Sequence, residues 1–127
     1  MQLAEYFENV ESIGILSTAD KTGKVNAALY GRPHFFEDGS IAFITAEKLT
    51  HANLQVNPHA VYLFKEDGSY QGKRLYLTKI CEEKNNPLID EIRRKKFKKT
   101  ENQYKSGPKY LIYFKLDKII PLMGAGD

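Results

Sequence analysis

The sequence predicts a mainly β fold with short helices, in which six strand-forming runs wrap into an antiparallel β-barrel and the helices pack against it. Three observations carry this. The runs are short and rich in Val, Ile, Tyr, Phe and Thr, glycine-bearing turns separate most of them, and helical spacing of apolar residues appears only in brief segments.

The chain opens with Leu3, Tyr6, Phe7 and Val10 at i, i+3, i+4 and i+7 between polar residues, the pattern of a short amphipathic helix. Ser12 to Thr18 reads as the first strand, and Asp20-Lys21-Thr22-Gly23 as a turn in which Gly23 takes positive φ. The second strand runs from Val25 through Tyr30 toward Phe35-Phe36, interrupted by Gly31 and Pro33, which mark a bent or unpaired portion. Glu37-Asp38-Gly39-Ser40 turns the chain into a third strand, Ile41 to Thr45. Thr50 stands where the N-cap of a helix over His51 to Asn57 belongs, and Pro58 ends that helix. Ala60 to Phe64 and Lys73 to Cys81 are strands joined by Glu66-Asp67-Gly68-Ser69. Pro87 opens a further helix carrying Leu88, Ile89 and Ile92, followed by a basic run and a polar loop from Lys99 to Lys109. The last strand is Tyr110 to Leu116.

At 127 residues, with 42% hydrophobic and 28% charged side chains, one domain over residues 1–127 is expected. The lone Cys81 excludes an internal disulfide framework and a thiolate-rich zinc site, which fits a reducing cytoplasmic setting. No stretch approaches the roughly 18 apolar residues of a spanning helix, and the first residues carry glutamates where a signal peptide carries lysines, so no membrane association is expected. A net charge of +3 is too small to argue for nucleic acid.

Hydrolase elbows, zincin helices, P-loops and dinucleotide glycine motifs are all missing, and His34, His51 and His59 have no close ligand spacing. The more informative constellation is Tyr30-Gly31-Arg32-Pro33-His34 together with Lys48 and Thr50. If the third strand returns beside the second, a guanidinium, an ammonium, a hydroxyl and a helix N-terminus converge, a setting suited to a phosphate monoester. The plainer alternative leaves Arg32 and Lys48 solvated and Thr50 as a helix cap. The run Arg93 to Lys99 places six charges in seven residues; a solvated helix end is favoured, because only Phe97 could stack on a base, and nucleic-acid binding is the alternative.

The order of hairpin strand, Asp-Gly turn, Ile-Ala-Phe-Ile-Thr strand and then T-H-A-N-L-Q-V-N-P-H-A-V-Y-L-F resembles the pyridoxamine 5′-phosphate oxidase-like FMN-binding split barrels. Asn53 to Phe64 is the most specific part. The resemblance covers nearly the whole chain and implies a six-stranded antiparallel split barrel, a homodimer holding two FMN molecules at its interface, and flavin chemistry with a small-molecule electron donor or acceptor. It places the flavin-contacting strand on Ala27 to Arg32, with Ala28, Leu29, Tyr30 and Gly31 bearing on the ring. Ile44 and Thr45 match a second contact, Leu49 and Thr50 the phosphate-binding pair, and Arg74 a polar side chain that reaches the flavin. Two departures stand out: Ala27 or Ala28 replaces a phosphate-binding arginine, and Leu49-Thr50 replaces an Arg-Lys pair, so Lys48, Thr50 and Arg32 would share the phosphate. The absence of tryptophan and of the family's C-terminal substrate motif argues against vitamin B6 oxidation. The implied activity is that of an FMN-dependent oxidoreductase; the alternative is a non-catalytic module for flavin, deazaflavin, haem or nucleic acid on the same barrel.

Overall fold

In the computed structural model the elements run α1 (Leu3–Asn9), β1 (Ser12–Ala19), β2 (Val25–Leu29), β3 (His34–Phe35), β4 (Ile41–Ala46), α2 (Leu49–Val56), β5 (His59–Glu66), β6 (Gly72–Lys84), α3 (Pro87–Lys96) and β7 (Lys109–Pro121). The structure describes residues 3–46, 48–96 and 108–124, with the backbone alone for 93–96. The basic run from Arg93 to Lys99 and most of the polar loop after it therefore lie outside the described side chains. All neighbouring strands are antiparallel, in the order β2-β1-β5-β6-β7-β4-β3, and the sheet curls without closing.

The glycine turns form as their residues predict. At the β1–β2 turn the Asp20 carboxylate accepts from the backbone N–H groups of Thr22 and Lys24 at 2.8 and 3.0 Å, and Gly23 sits at φ 92°. At the other end of the chain, Pro87 opens α3 while the Asn86 side chain accepts the Leu88 N–H at 2.7 Å.

Two expectations change. The second strand-forming run is two strands, β2 and β3, at opposite edges of the sheet. Tyr30 N–H still bonds Gly14 O at 3.0 Å, but Gly31 and Pro33 then carry the chain across the barrel end to β3, so β4 pairs with β3 and β7 and shares no ladder with β2. The short helix is also capped differently. Lys48 N–H bonds Ala46 O at 2.9 Å in a tight exit from β4, and Ala52 N–H bonds Lys48 O at 3.0 Å. Lys48 is thus the N-cap, and Thr50 is buried within the first helical turn.

Alternation along the strands divides the molecule into two cores. Leu16, Phe43, Tyr62, Phe64, Leu77 and Phe114 fill the barrel, with Phe7 of α1 plugging one end and Leu54 of α2 the other. Phe7 meets Phe64 edge to face at 4.2 Å between centroids. A smaller core of Ala42, Leu111, Ile89 and Ile92 lies where α3 covers the outer side of β4 and β7. The outward side of β1 and β2 is different: Ile13, Val25 and Leu29 are 46%, 78% and 69% exposed.

Candidate functional site

Tyr30 is the residue that bridges the split. It follows β2 on the inward side, its ring stands edge-on to Phe43, and its hydroxyl lies 2.6 Å from Thr45 Oγ1 at the end of β4. Thr45 in turn donates to Ala46 O at 3.1 Å, so the Tyr30 phenol is the donor to Thr45. One side-chain hydrogen bond thus ties two strands that share no backbone bond. Tyr30→Phe is expected to lower stability by about 1 kcal/mol, read as a fall in the denaturation midpoint at unchanged slope.

Beside this tie lies the start of α2. Lys48 has extended backbone (φ −136°, ψ −166°) and its side chain makes no cap, since an ammonium offers no acceptor. The first-turn N–H groups of Leu49 and Thr50 therefore have no capping oxygen from the N-cap residue. The helix N-terminus and the exposed Lys48 ammonium put positive charge at one place.

The helix is held there by a polar cluster that the sequence does not announce. Glu82 of β6 accepts from His51 Nε2 at 2.9 Å, Gln55 Nε2 at 2.7 Å and Lys79 Nζ at 2.7 Å, while Lys79 also donates to Leu54 O at 3.2 Å. The His51 ring stacks on Tyr110 at 3.7 Å. Burial by itself would raise the Glu82 carboxyl, but the hydrogen bonds from Lys79, His51 and Gln55 and the Lys79 charge outweigh it and hold the group at about 2, against an ordinary 4.5. A carboxyl depressed in the folded state contributes stability above its unfolded value, and that contribution is lost as pH falls from about 4.5 toward 2. Glu82→Gln is expected to flatten this acid limb of the stability profile; an unchanged slope between those pH values would refute the role given to Glu82.

The remaining predicted residues scatter. Ala28 faces the interior of the barrel and Leu29 faces outward. Ile44 points to the opposite side from Thr45, into the small core under α3, so only Thr45 of that pair meets Tyr30. Arg74 lies on the outward face in a cross-strand row with Leu29, Ile15 and Leu63, its Nε donating to Pro121 O at 2.8 Å. Within the chain Arg32 is not brought beside Lys48 and Thr50. Its guanidinium donates to Phe7 O of α1, at the barrel end where β1 begins, whereas α2 closes the end where β1 finishes and Asn53 donates to Thr18 Oγ1 at 3.0 Å. The hairpin argument failed because β4 does not return beside β2. Arg32 instead lines a cleft of about 270 Å³ with Glu11, Ser12, Gly31, Tyr62 and Asp67.

Tyr62 shapes that bend. It is buried, and its hydroxyl reaches the carbonyl oxygens of Tyr30 and Gly31 at 3.2 and 3.1 Å. Burial pushes its phenol up, against an opposing pull from Arg32, so it stays a donor. Gly14 makes the space: a Cβ there would lie 1.9 Å from Tyr62 Oη and 2.8 Å from Tyr30 O.

Solved structures share this architecture. An FMN-binding protein from Syntrophomonas wolfei superposes with a TM-score of 0.76 at 22% identity, over 93% of this chain and 82% of that one. The fold is the FMN-binding split barrel. An F420 reductase aligns on the same split barrel with a TM-score of 0.68 at 12% identity, over 94% and 98% of the two chains. The haem storage protein HutZ from Vibrio cholerae does so at 0.64 and 17%, over 93% and 90%. Pyridoxamine 5′-phosphate oxidase-like proteins are among the further matches to this split barrel, in keeping with the resemblance read from Asn53 to Phe64. No protein-family model and no curated protein sequence matches the chain.

Proposed function

We propose that this split barrel binds FMN along the outer edge of β2, at the interface of a homodimer, and acts as a flavin-dependent oxidoreductase toward a small-molecule electron donor or acceptor. The observation that carries the reading is the start of α2. Lys48 supplies a charge, the first-turn N–H groups of Leu49 and Thr50 supply donors, and the Glu82 cluster holds the helix in place, a donor set that suits a phosphate monoester. β2 is an edge strand, so its outer N–H and C=O groups face no neighbouring strand and can meet the polar rim of an isoalloxazine. Arg74, on the same outward face as Leu29, adds a cation on that side.

FMN supplies hydride and single-electron chemistry when bound; the chain's residues bind it, orient it and limit access of water. The exposed Ile13, Val25 and Leu29 support the homodimer, since a second copy laid on that face would bury them and the cofactor together. Likeness to an FMN-binding protein supports the same cofactor.

A second reading, haem carriage, draws on the likeness to HutZ. Against His51 as an axial ligand stands its bond to Glu82 and its stacking on Tyr110. The visible spectrum of the protein purified without added cofactor, with the mass of any extracted ligand, separates the readings. Twin flavin bands and the mass of FMN are expected. A Soret band would favour haem, and a colourless protein that takes up no added FMN would overturn the flavin reading.

A further inference from the structure

We infer that in the flavin-free protein two copies of this chain pair β2 against β2, edge to edge, in one continuous antiparallel sheet, and that FMN competes for the same backbone groups. The competition rests on the flavin reading; the pairing does not.

The argument starts from the ladder. β1 and β2 pair in unbroken register from Ile15↔Leu29 to Ala19↔Val25. Just beyond the ends of that register, Tyr30 N–H bonds Gly14 O and Asp20 N–H bonds Lys24 O. Along an antiparallel strand, residues bonded to the neighbour alternate with residues whose N–H and C=O point away from it. Lys24, Asn26, Ala28 and Tyr30 are therefore the bonded set, and Val25, Ala27 and Leu29 turn their backbone groups to the open edge. All three residues are exposed, and among the described residues no hydrogen bond reaches those groups.

The two edges of the sheet are built differently. β3 is only His34 and Phe35, with Arg32-Pro33 before it and Glu37-Asp38 soon after, the short, proline-marked and charged edge that resists pairing with another chain. The part of β4 that β3 leaves unpaired lies at the split, where Tyr30 bonds Thr45. β2 has none of these guards: from Val25 to Leu29 there is no charge, no proline and no bulge. A bare edge of this kind is a template for another strand.

A second copy is the occupant that fits. A two-fold axis at Ala27 is the register that pairs all the open residues: Ala27 meets the partner's Ala27, while Val25 and Leu29 meet the partner's Leu29 and Val25. Apolar side chains then stand opposite one another, and no charge is set against a like charge. Each chain has one such edge, so association closes at two copies instead of growing into a fibre. An isoalloxazine rim bonded to the outer groups of β2 would occupy the same donors and acceptors.

Disulfide trapping in a Cys81→Ser background reads this register. In a hydrogen-bonded antiparallel pair the Cα atoms lie about 5.5 Å apart, within disulfide reach. In the flavin-free protein under air, Ala27→Cys should cross-link to itself, Val25→Cys alone should not, and Val25→Cys mixed with Leu29→Cys should. Light scattering of the flavin-free parent should give a dimer. An Ala27→Cys variant that melts like the parent and forms no cross-link would overturn the pairing, as would an equally strong Val25→Cys self-link or a size that keeps growing with concentration. Saturating FMN should reduce the Ala27→Cys cross-link by roughly tenfold or more. A cross-link that persists with FMN bound, as read by flavin fluorescence, would overturn the competition. A parent chain that takes up no FMN while Ala27→Cys still cross-links would count against the flavin reading alone.

Discussion

Gly72→Ala is expected to destabilise the protein by roughly 3 kcal/mol or more, lowering its melting temperature by about 10–20 °C. A Cβ at residue 72 would lie 1.9 Å from the carbonyl oxygen of Phe64 and 3.1 Å from the Cα of Lys65. Both are backbone atoms of β5, which pairs with β6 through Lys65↔Gly72 and Phe64↔Lys73, so no rotamer change relieves the collision. The sheet itself must shift, beneath the fully buried Phe64. Gly23 provides the control. It has nothing within 4 Å but a φ of 92°, so Gly23→Ala should cost only about 1 kcal/mol through backbone conformation. Thermal unfolding followed by circular dichroism reads both, and a Gly72→Ala variant that melts within 3 °C or so of the parent would refute the close approach.

Lys48→Glu should weaken FMN binding by about a hundredfold, equivalent to roughly 3 kcal/mol, with the melting temperature of the flavin-free protein nearly unchanged. The substitution puts a negative charge beside the first turn of α2, where the N-cap residue makes no side-chain bond that would be lost. Arg32→Gln should leave FMN affinity as it is, because Arg32 is tied to Phe7 O at the far end of the barrel. Flavin-fluorescence titration of the two variants makes the comparison. Equal losses would mean that the phosphate lies within reach of Arg32, and an unchanged Lys48→Glu would remove α2 from the binding site.

Much of the fold was legible because its determinants are neighbours in the chain. Asp20 shapes its own turn two to four residues on, Gly39 and Gly68 take the positive φ their turns require, and Asn86 and Pro87 start α3 from adjacent positions. The alternation that buries Leu75 and Leu77 while leaving Tyr76 half-exposed is likewise written residue by residue along β6.

The site was legible only where it followed that local code. Tyr30 and Thr45 were both singled out, but their hydrogen bond joins the residue after β2 to the end of β4, strands that do not pair. Thr50 has the chemistry of an N-cap and is not one, because the tight turn from Ala46 to Lys48 starts the helix earlier. Glu82 meets His51 across 31 positions, brought opposite α2 in the stretch of β6 where its register against β7 shifts between Lys79 and Cys81, and no local pattern encodes such a meeting.

By itself, then, the sequence determined most of the strands, the turns and the alternation that separates a filled barrel from an exposed outer face, since each of these depends on residues within a few positions of one another. Only the tertiary structure decided that one strand-like run serves both edges of the sheet, that Arg32 faces Glu11 and Asp67 rather than Lys48, and that Gly14 and Gly72 are required by atoms far away in the chain. Strand pairing and close packing are set by the collective fit of the whole sheet, and a local reading of residue types does not contain that sum.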